Sequence, residues 1–178
     1  KHNVRVYCHS SLFEKKPKIV NGIELIYTPS IKSKKLSQLY NSFFSFLHVC
    51  FSDFDIVLVV NSANGPYGIL TKIFRKKTFI NVDGLEWLRP KWKGLGSIYF
   101  KLSSKLSTIF FDEVITDSYE MKKIYEQKFS KSSTVIAYGS TMINKSNTVY
   151  IESLKLEKNK YYLFKKEVPV VSGLRRTQ

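Results

Sequence analysis

Short apolar runs that alternate with longer helical segments constrain the fold of this chain more than any other feature. Four such runs occupy residues 56–60, 77–82, 113–116 and 134–137. The segments between them have helical character at residues 67–74, 97–111 and 118–129. Continuous apolar strands separated by helices are typical of a parallel sheet with helices on both faces. The sequence therefore predicts an α/β fold with a doubly wound, Rossmann-like arrangement.

The first fifty residues have a different pattern. Residues 4–8 and 23–28 alternate apolar and polar side chains, as half-buried or edge strands do. The pair Asn21-Gly22, directly before the second run, predicts a turn. Residues 36–50 then change to the period of a helix, with an apolar stripe that includes Phe43 and Leu47.

Each of the four later runs is followed by polar residues, and three of these turns contain glycine. In open parallel sheets the ligand crevice lies just outside the carboxyl ends of the strands. We therefore expect these loops to line one cleft. In chain order, the candidate substrate-binding residues are Asn61, Asn64, Gly65, Gly84, Glu86, Trp87, Asp117, Ser118, Tyr138 and Gly139.

Asp83 is the first polar residue after its strand, and Gly84 gives the backbone freedom to turn sharply. A carboxylate in this position can bind a sugar hydroxyl or take a proton from one. The alternative is that Asp83 only caps the turn. Glu86 follows three residues later, where Arg89 and Lys91 are close enough in sequence to form a local ion pair.

Two tryptophans flank these carboxylates. Trp87 and Trp92 have the size and shape to stack on a sugar ring or a nucleobase, or to enter a lipid headgroup layer. Tryptophans are also frequent in partly buried core positions, so the sequence leaves both interpretations open.

The chain is strongly basic, with 29 lysines and arginines against 14 acidic residues and a formal net charge of +15. This charge is compatible with nucleic acid, an anionic membrane surface or a phosphate-bearing substrate, and equally with a merely solvated lysine-rich surface. The basic clusters lack the spacing of a helix-turn-helix or an RNP aromatic pattern. No GxGxxG, Walker, HExxH or nucleophile-elbow motif occurs, which disfavours dehydrogenases, NTPases and hydrolases.

Two cysteines and three histidines lie far apart, without metal-ligand or disulfide spacing. A reduced, cytoplasmic compartment is expected. No apolar stretch approaches the roughly 20 residues that a membrane-spanning helix needs.

Four segments of this chain resemble a known family in the same order: VYCHS, NVDGLEW followed by KW, VITDS and VIAYGS. The family is the rhamnosyltransferase-like, family 4 type of bacterial glycosyltransferase, which builds surface polysaccharides and has the two-domain GT-B fold. The resemblance implies that residues 1–145 form the Rossmann-like, acceptor-side domain. Residues 146–178 would be a linker and a truncated or aberrant start of the second domain.

The resemblance also implies a chemistry. A sugar, rhamnose among the candidates, would move from a nucleotide-diphospho-sugar to a glycan or lipid-linked acceptor, without a metal or other cofactor. Asp83 would be the catalytic residue, and Arg89, Lys91 and Lys93 would face phosphate or membrane. The expected location is cytoplasmic and peripheral, at the inner face of the plasma membrane.

Members of this family carry a strand and a glycine-rich loop ahead of the segment that matches residues 4–8, and a second domain with most of the donor contacts. We therefore expect this chain alone to have little transferase activity. A catalytically inactive binding module of the same fold is the main alternative, and a nucleic-acid-binding protein is a further one.

Overall fold

The computed structural model describes residues 2–31, 33, 36–139, 153–157 and 160. The chain divides into two units, Lys1–Tyr138 and Gly139–Gln178. The first unit contains the strands and helices that matter for function. Most of the predicted start of a second domain, and Ser140 in the last predicted loop, lie outside the described residues.

The first unit contains two sheets. In the first sheet, strand β1 (Arg5–His9) runs parallel to β3 (Ile23–Thr28), and the short β2 (Ile19–Val20) pairs antiparallel on the other side of β3. The predicted turn at Asn21-Gly22 is confirmed: both residues have positive φ and connect β2 to β3 as a two-residue hairpin. These strands thus form a sheet separate from the four later ones.

The second sheet is the parallel sheet that the sequence predicts. Its strands are β4 (Val57–Val60), β5 (Thr78–Val82), β6 (Glu113–Thr116) and β7 (Thr134–Val135), paired in that order and all parallel. The α/β, Rossmann-like fold class is confirmed. The last strand is shorter than expected, since it ends at Val135 and not at residue 137.

In the part of the chain that the structure describes, four α-helices accompany the sheets: α1 (Ser37–Cys50), α2 (Gly68–Ile73), α3 (Leu95–Phe110) and α4 (Tyr119–Phe129). Two 3₁₀ helices, Ser62–Tyr67 and Glu86–Leu88, lie in the loops after β4 and β5. The helix predicted at residues 67–74 therefore follows directly after the first of these 3₁₀ helices. The proline at position 66 lies inside that 3₁₀ helix, which tolerates it because it is short. Among the described residues, no helix is both long and apolar enough to cross a membrane.

The core lies between the parallel sheet and the helices. Ile80, Val82 and Val114 are fully buried on the sheet, and Tyr125 of α4 packs into the same cluster. Burying such side chains contributes about 1.5–3 kcal/mol each relative to leaving them exposed. Phe46 brings α1 into this cluster as well.

Helix α1 also contacts the first sheet. Asn41 donates a hydrogen bond to the Thr28 hydroxyl at 2.7 Å, and the Tyr7 hydroxyl lies 2.8 Å from Nδ1 of His48. Cys50 of α1 is buried, and His48, although exposed, contacts Tyr7, so α1 connects the two sheets.

Candidate functional site

The ends of the parallel strands bring the predicted loops to one edge of the sheet. Val60 pairs with Asn81, Val82 pairs with Thr116, and Thr116 pairs with Val135. The residues that follow these strands therefore start next to one another. Asp83 and Asp117 therefore follow the last paired residues of two adjacent strands and start side by side.

Asp83 has a carboxylate without a close polar partner in the described part of the chain. The residue is half-buried, and it has no hydrogen bond or ion pair among the described residues. Gly84 follows with φ of +108°, a conformation that side chains other than glycine's hydrogen rarely adopt. The backbone therefore turns away directly after Asp83 and leaves its carboxylate at the strand end.

A buried phenol lies close to this carboxylate. Tyr125 of α4 is completely buried, and its hydroxyl has no hydrogen bond of acceptable geometry within the described residues. Burial raises the pKa of Tyr125 to about 12, the nearby hydroxyls of Ser104 and Ser62 lower it, and the negative charge of Asp83 raises it. Asp83 thus lies within electrostatic range of Tyr125, whose own neighbours include the hydroxyls of Ser104 and Ser62.

Sequence reasoning did not identify Tyr125 or its neighbours. Tyr125 lies inside a helix whose amphipathic pattern predicts a core position, and Ser104 has no motif around it. The only available signal is the run of small polar residues at Ser103, Ser104 and Ser107, which are all fully buried on one side of α3.

Glu86 has the opposite environment to Asp83. It is only 6% exposed, and its carboxylate accepts a hydrogen bond from Nε1 of Trp92 at 2.9 Å. Arg89 approaches the other carboxylate oxygen at 3.0 Å, and Lys91 lies 3.9 Å away. The ion pair predicted from the sequence is present, and the bond from Trp92 is an addition that the sequence did not indicate.

Trp87, for which the sequence left stacking and core roles open, is buried in the structure. Its indole is 6% exposed and packs edge-on against Phe129 at 6.0 Å between ring centroids. Ser97 donates a hydrogen bond to its carbonyl oxygen at 2.8 Å. The ammonium of Lys128 lies 5.9 Å from the centre of the Trp87 ring. Trp87 is therefore a buried residue next to a cation, and its contact with a substrate stays a prediction.

The loop after β4 uses its polar groups internally. Asn61 has φ of +77°, and its side chain accepts a hydrogen bond from the amide of Ala63 at 2.8 Å, while Asn64 donates to the Val60 carbonyl at 2.9 Å. A Cβ atom on Gly65 would lie 2.0 Å from the Ser103 carbonyl oxygen. Asn64 and Gly65 thus shape the loop and allow α3 to approach.

The remaining loops differ in how closely they join this edge. Ser118 caps α4: its hydroxyl accepts a hydrogen bond from the Met121 amide at 3.3 Å and donates one to Asp117 at 3.1 Å. Tyr138 is 66% exposed and three residues beyond the end of β7. Gly139 belongs to the second unit.

Three basic residues follow the Glu86 segment. Arg89 and Lys91 are more than half exposed even though both face Glu86, and Lys93 is exposed. Within the described residues, no group of three or more His, Cys, Asp or Glu side chains is placed to hold a metal ion.

Comparison with known proteins gives one match. Residues 56–141 match the model of a family described as "Domain of unknown function (DUF1972)", a domain found in glycosyltransferase-associated proteins. The matched range contains the whole parallel sheet and the loops that carry Asn61, Asp83 and Asp117. No curated protein matches the chain.

Proposed function

We propose that this chain is the acceptor-side domain of a glycosyltransferase, and that Asp83 binds the acceptor hydroxyl. The supporting observation is the carboxylate of Asp83, which lies at the carboxyl end of a central parallel strand without a partner among the described residues. The match to a domain of glycosyltransferase-associated proteins supports the same function. Glu86 is the less suitable carboxylate because it already accepts a hydrogen bond from Trp92 and faces the cations Arg89 and Lys91.

The proposed reaction moves a sugar, with rhamnose as one candidate, from a nucleotide-diphospho-sugar to a glycan or lipid-linked acceptor. The acceptor oxygen forms a bond to the anomeric carbon, the bond from that carbon to the diphosphate oxygen breaks, and the nucleoside diphosphate leaves. Asp83 accepts the hydrogen bond of the attacking hydroxyl and, as a general base, its proton. The charge of the leaving diphosphate would be met by basic side chains and helix N-termini.

The experiment compares two isosteric substitutions in the complete polypeptide that contains this domain. Release of nucleoside diphosphate is measured with a panel of nucleotide-sugars and a lipid-linked acceptor. Asp83→Asn is expected to lower kcat about 100-fold or more at an unchanged melting temperature, because general-base catalysis typically contributes 10²–10⁴-fold. Glu86→Gln is the matched control, and it is expected to lower the melting temperature while largely keeping kcat.

Two outcomes would contradict this proposal. Wild-type turnover in Asp83→Asn would leave Asp83 with only a turn-capping role. Donor binding without turnover in the unmodified polypeptide would favour the inactive binding module.

We also propose that the domain associates peripherally with the cytoplasmic face of the membrane. Lys91 and Lys93 are exposed beside the edge that carries Asp83, where a lipid-linked acceptor would have to arrive. Each basic side chain near an anionic surface contributes about 1 kcal/mol, and salt screens the attraction within about 10 Å at 0.1 M.

Sedimentation with vesicles that contain phosphatidylserine tests the membrane proposal. Lys91→Gln/Lys93→Gln is expected to weaken binding about 30-fold at low salt, which corresponds to about 2 kcal/mol. The control, Arg75→Gln/Lys77→Gln, removes the same charge at the start of β5, at the opposite edge of the sheet. Equal losses in the two double variants would indicate attraction by net charge alone.

A further inference from the structure

Helix α3 buries small polar side chains and exposes large apolar ones. Ser103, Ser104 and Ser107 are fully buried on the side that faces the rest of the protein. The opposite side exposes four aliphatic residues, with their exposed fractions in parentheses: Leu95 (84%), Ile98 (63%), Leu102 (53%) and Ile109 (46%). A surface helix of a globular protein normally has the reverse arrangement. The four aliphatic side chains therefore contribute little to the core of this chain.

The buried serines have a packing reason of their own. A Cβ atom on Gly65 would lie 2.0 Å from the Ser103 carbonyl oxygen and 2.7 Å from the Ser107 hydroxyl. The 3₁₀ helix after β4 thus approaches α3 so closely that only small side chains fit between them. This constraint does not reach the opposite side of α3, so the exposed aliphatic residues need a different explanation.

The exposed aliphatic residues form one line along α3. They follow one another at intervals of three, four and seven residues, and these intervals place side chains on one face of an α-helix. At 1.5 Å per residue, this aliphatic line from Leu95 to Ile109 is about 21 Å long. Single apolar residues are normal on a protein surface, whereas contiguous exposed ones mark an interaction site.

The charge beside the aliphatic line is positive. Lys101 and Lys105 each follow a residue of the line by three positions, so both lie on the same flank of it, and both are exposed. On the other flank, Tyr99 donates a hydrogen bond to the Ala63 carbonyl at 2.8 Å and so faces the 3₁₀ helix after β4. Residues 87–111 contain no acidic residue. Any carboxylates that pair with these lysines therefore have to come from outside α3.

Helix α4 of the same domain has the surface of an ordinary solvated helix. Its exposed positions carry both signs of charge, with Glu120 and Glu126 beside Lys123 and Lys128. Mixed charges of this kind keep a helix surface in water. A lysine-rich but merely solvated surface would resemble α4, and it does not account for the aliphatic line of α3.

We infer that the exposed face of α3 binds an amphipathic α-helix of a partner protein, and that this helix carries carboxylates along one side. Apolar side chains of the partner, at helical intervals of their own, pack along the line from Leu95 to Ile109. The carboxylates of the partner pair with Lys101 and Lys105. Both the apolar and the charged parts of the exposed face are then matched by one element.

Two other occupants match this face less well. A second copy of the chain would bring its own lysines to the same surface, and like charges repel. An anionic bilayer surrounds an inserted apolar surface with headgroups, and basic residues then suit both flanks. The exposed lysines of α3 lie on a single flank, and Lys72 of α2, near the end of the other flank, donates its ammonium to the Ile109 carbonyl at 2.7 Å.

Binding of a synthetic peptide to the 178-residue chain tests the inference. The probe is a helical peptide of about 18 residues, long enough to cover the aliphatic line, with leucines on one face and glutamates along one flank. A peptide of the same composition in scrambled order is the control, because it has the same charge but no apolar face. Fluorescence anisotropy at about 0.15 M salt is expected to show at least about 10-fold tighter binding of the helical peptide. Equal affinities overturn the inference.

Substitutions of apolar residues test the place of binding. Ile98→Gln/Leu102→Gln is expected to weaken binding of the helical peptide about 30-fold, because the packing of two aliphatic side chains is lost. The matched control is Leu12→Gln/Ile19→Gln, at two exposed aliphatic positions outside α3, and it is expected to keep the affinity. All four positions are exposed, so the melting temperature is expected to stay unchanged. Equal affinity of the two double variants contradicts the inference.

Charge reversal tests the role of the lysines. Lys101→Glu/Lys105→Glu is expected to weaken binding about 10-fold, since two ion pairs are lost. Lys15→Glu/Lys16→Glu makes the same change in net charge at exposed positions between β1 and β2, and it is expected to have a much smaller effect. Equal losses in these two variants would reduce the interaction to net charge and overturn the inference.

The other occupants are tested with the same apolar variant. Sedimentation with phosphatidylserine vesicles is expected to be equal for the unmodified chain and for Ile98→Gln/Leu102→Gln. A loss of vesicle binding in this variant would assign the face to the membrane. A dimer of the unmodified chain that this variant dissociates would assign it to a second copy. Either result overturns the inference.

Discussion

Removing the Glu86 carboxylate is expected to destabilise the protein far more than removing the carboxylate of Asp83, three residues earlier. Glu86→Ala leaves the partly buried Nε1 of Trp92 without its acceptor, which costs about 1–3 kcal/mol. The lost pair with Arg89 adds at most about 1 kcal/mol, because that side chain is 51% exposed and water replaces its partner. The expected loss is about 1–4 kcal/mol.

The matched variant is Asp83→Ala. Asp83 has no hydrogen bond or ion pair among the described residues, so its removal is expected to change stability by less than about 0.5 kcal/mol. Urea unfolding measures both variants. For a chain of this length, about 1–4 kcal/mol corresponds to a decrease in Tm of roughly 2–16 °C.

A double-mutant cycle separates the partners of Glu86. Combining Glu86→Ala with Trp92→Phe is expected to give a larger coupling energy than combining it with Arg89→Ala, because the bond from Trp92 is the less exposed. The reasoning is refuted if Glu86→Ala and Asp83→Ala cost the same, or if the coupling to Arg89 is the larger.

Two further predictions concern buried positions. Burial raises the pKa of Tyr125 from 10 to about 12, so the unfolded state loses this proton first as pH rises. Stability is therefore expected to fall by about 2–3 kcal/mol between pH 10 and 12, and urea titrations of Tyr125→Phe are expected to show a smaller fall. Gly65→Ala is expected to cost more than about 3 kcal/mol, because its Cβ would overlap the Ser103 carbonyl. Gly22→Ala, which has positive φ but open space, is expected to cost about 1 kcal/mol in the same assay.

The sequence was sufficient to predict the parallel sheet because a continuous apolar run indicates that a strand is buried on both faces. The bounds of β6 agree with the prediction, and those of β4 and β5 differ by one residue at their starts. The two-residue strand β2 was missed, since two residues show no period. The separation into two sheets was also missed, because strand pairing depends on contacts distant in sequence.

The sequence predicted the positions of the loops well, but it predicted the roles of their side chains less well. The spacing of Glu86 and Arg89 predicted their ion pair, since residues three apart meet on a helical turn. The hydrogen bond from Trp92 to Glu86 joins residues six positions apart in a loop. A loop has no regular repeat from which such a contact could be predicted. Tryptophan occurs both in cores and at surfaces. The burial of Trp87 could therefore be predicted only with the position of α4 known.

The buried Glu86 cluster and the unengaged Asp83 are parts of one arrangement. A buried ion pair is often no more stabilising than apolar residues of the same size, so stability alone does not account for the cluster. Its bonds fix the chain from Glu86 to Trp92, and Gly84 provides the turn that separates this fixed segment from the strand. Asp83 is thus held between β5 and this bonded loop, while Arg89 and Lys91 are directed to Glu86. In a chain with a net charge of +15, this arrangement leaves one carboxylate at the strand end free to bind a hydroxyl group.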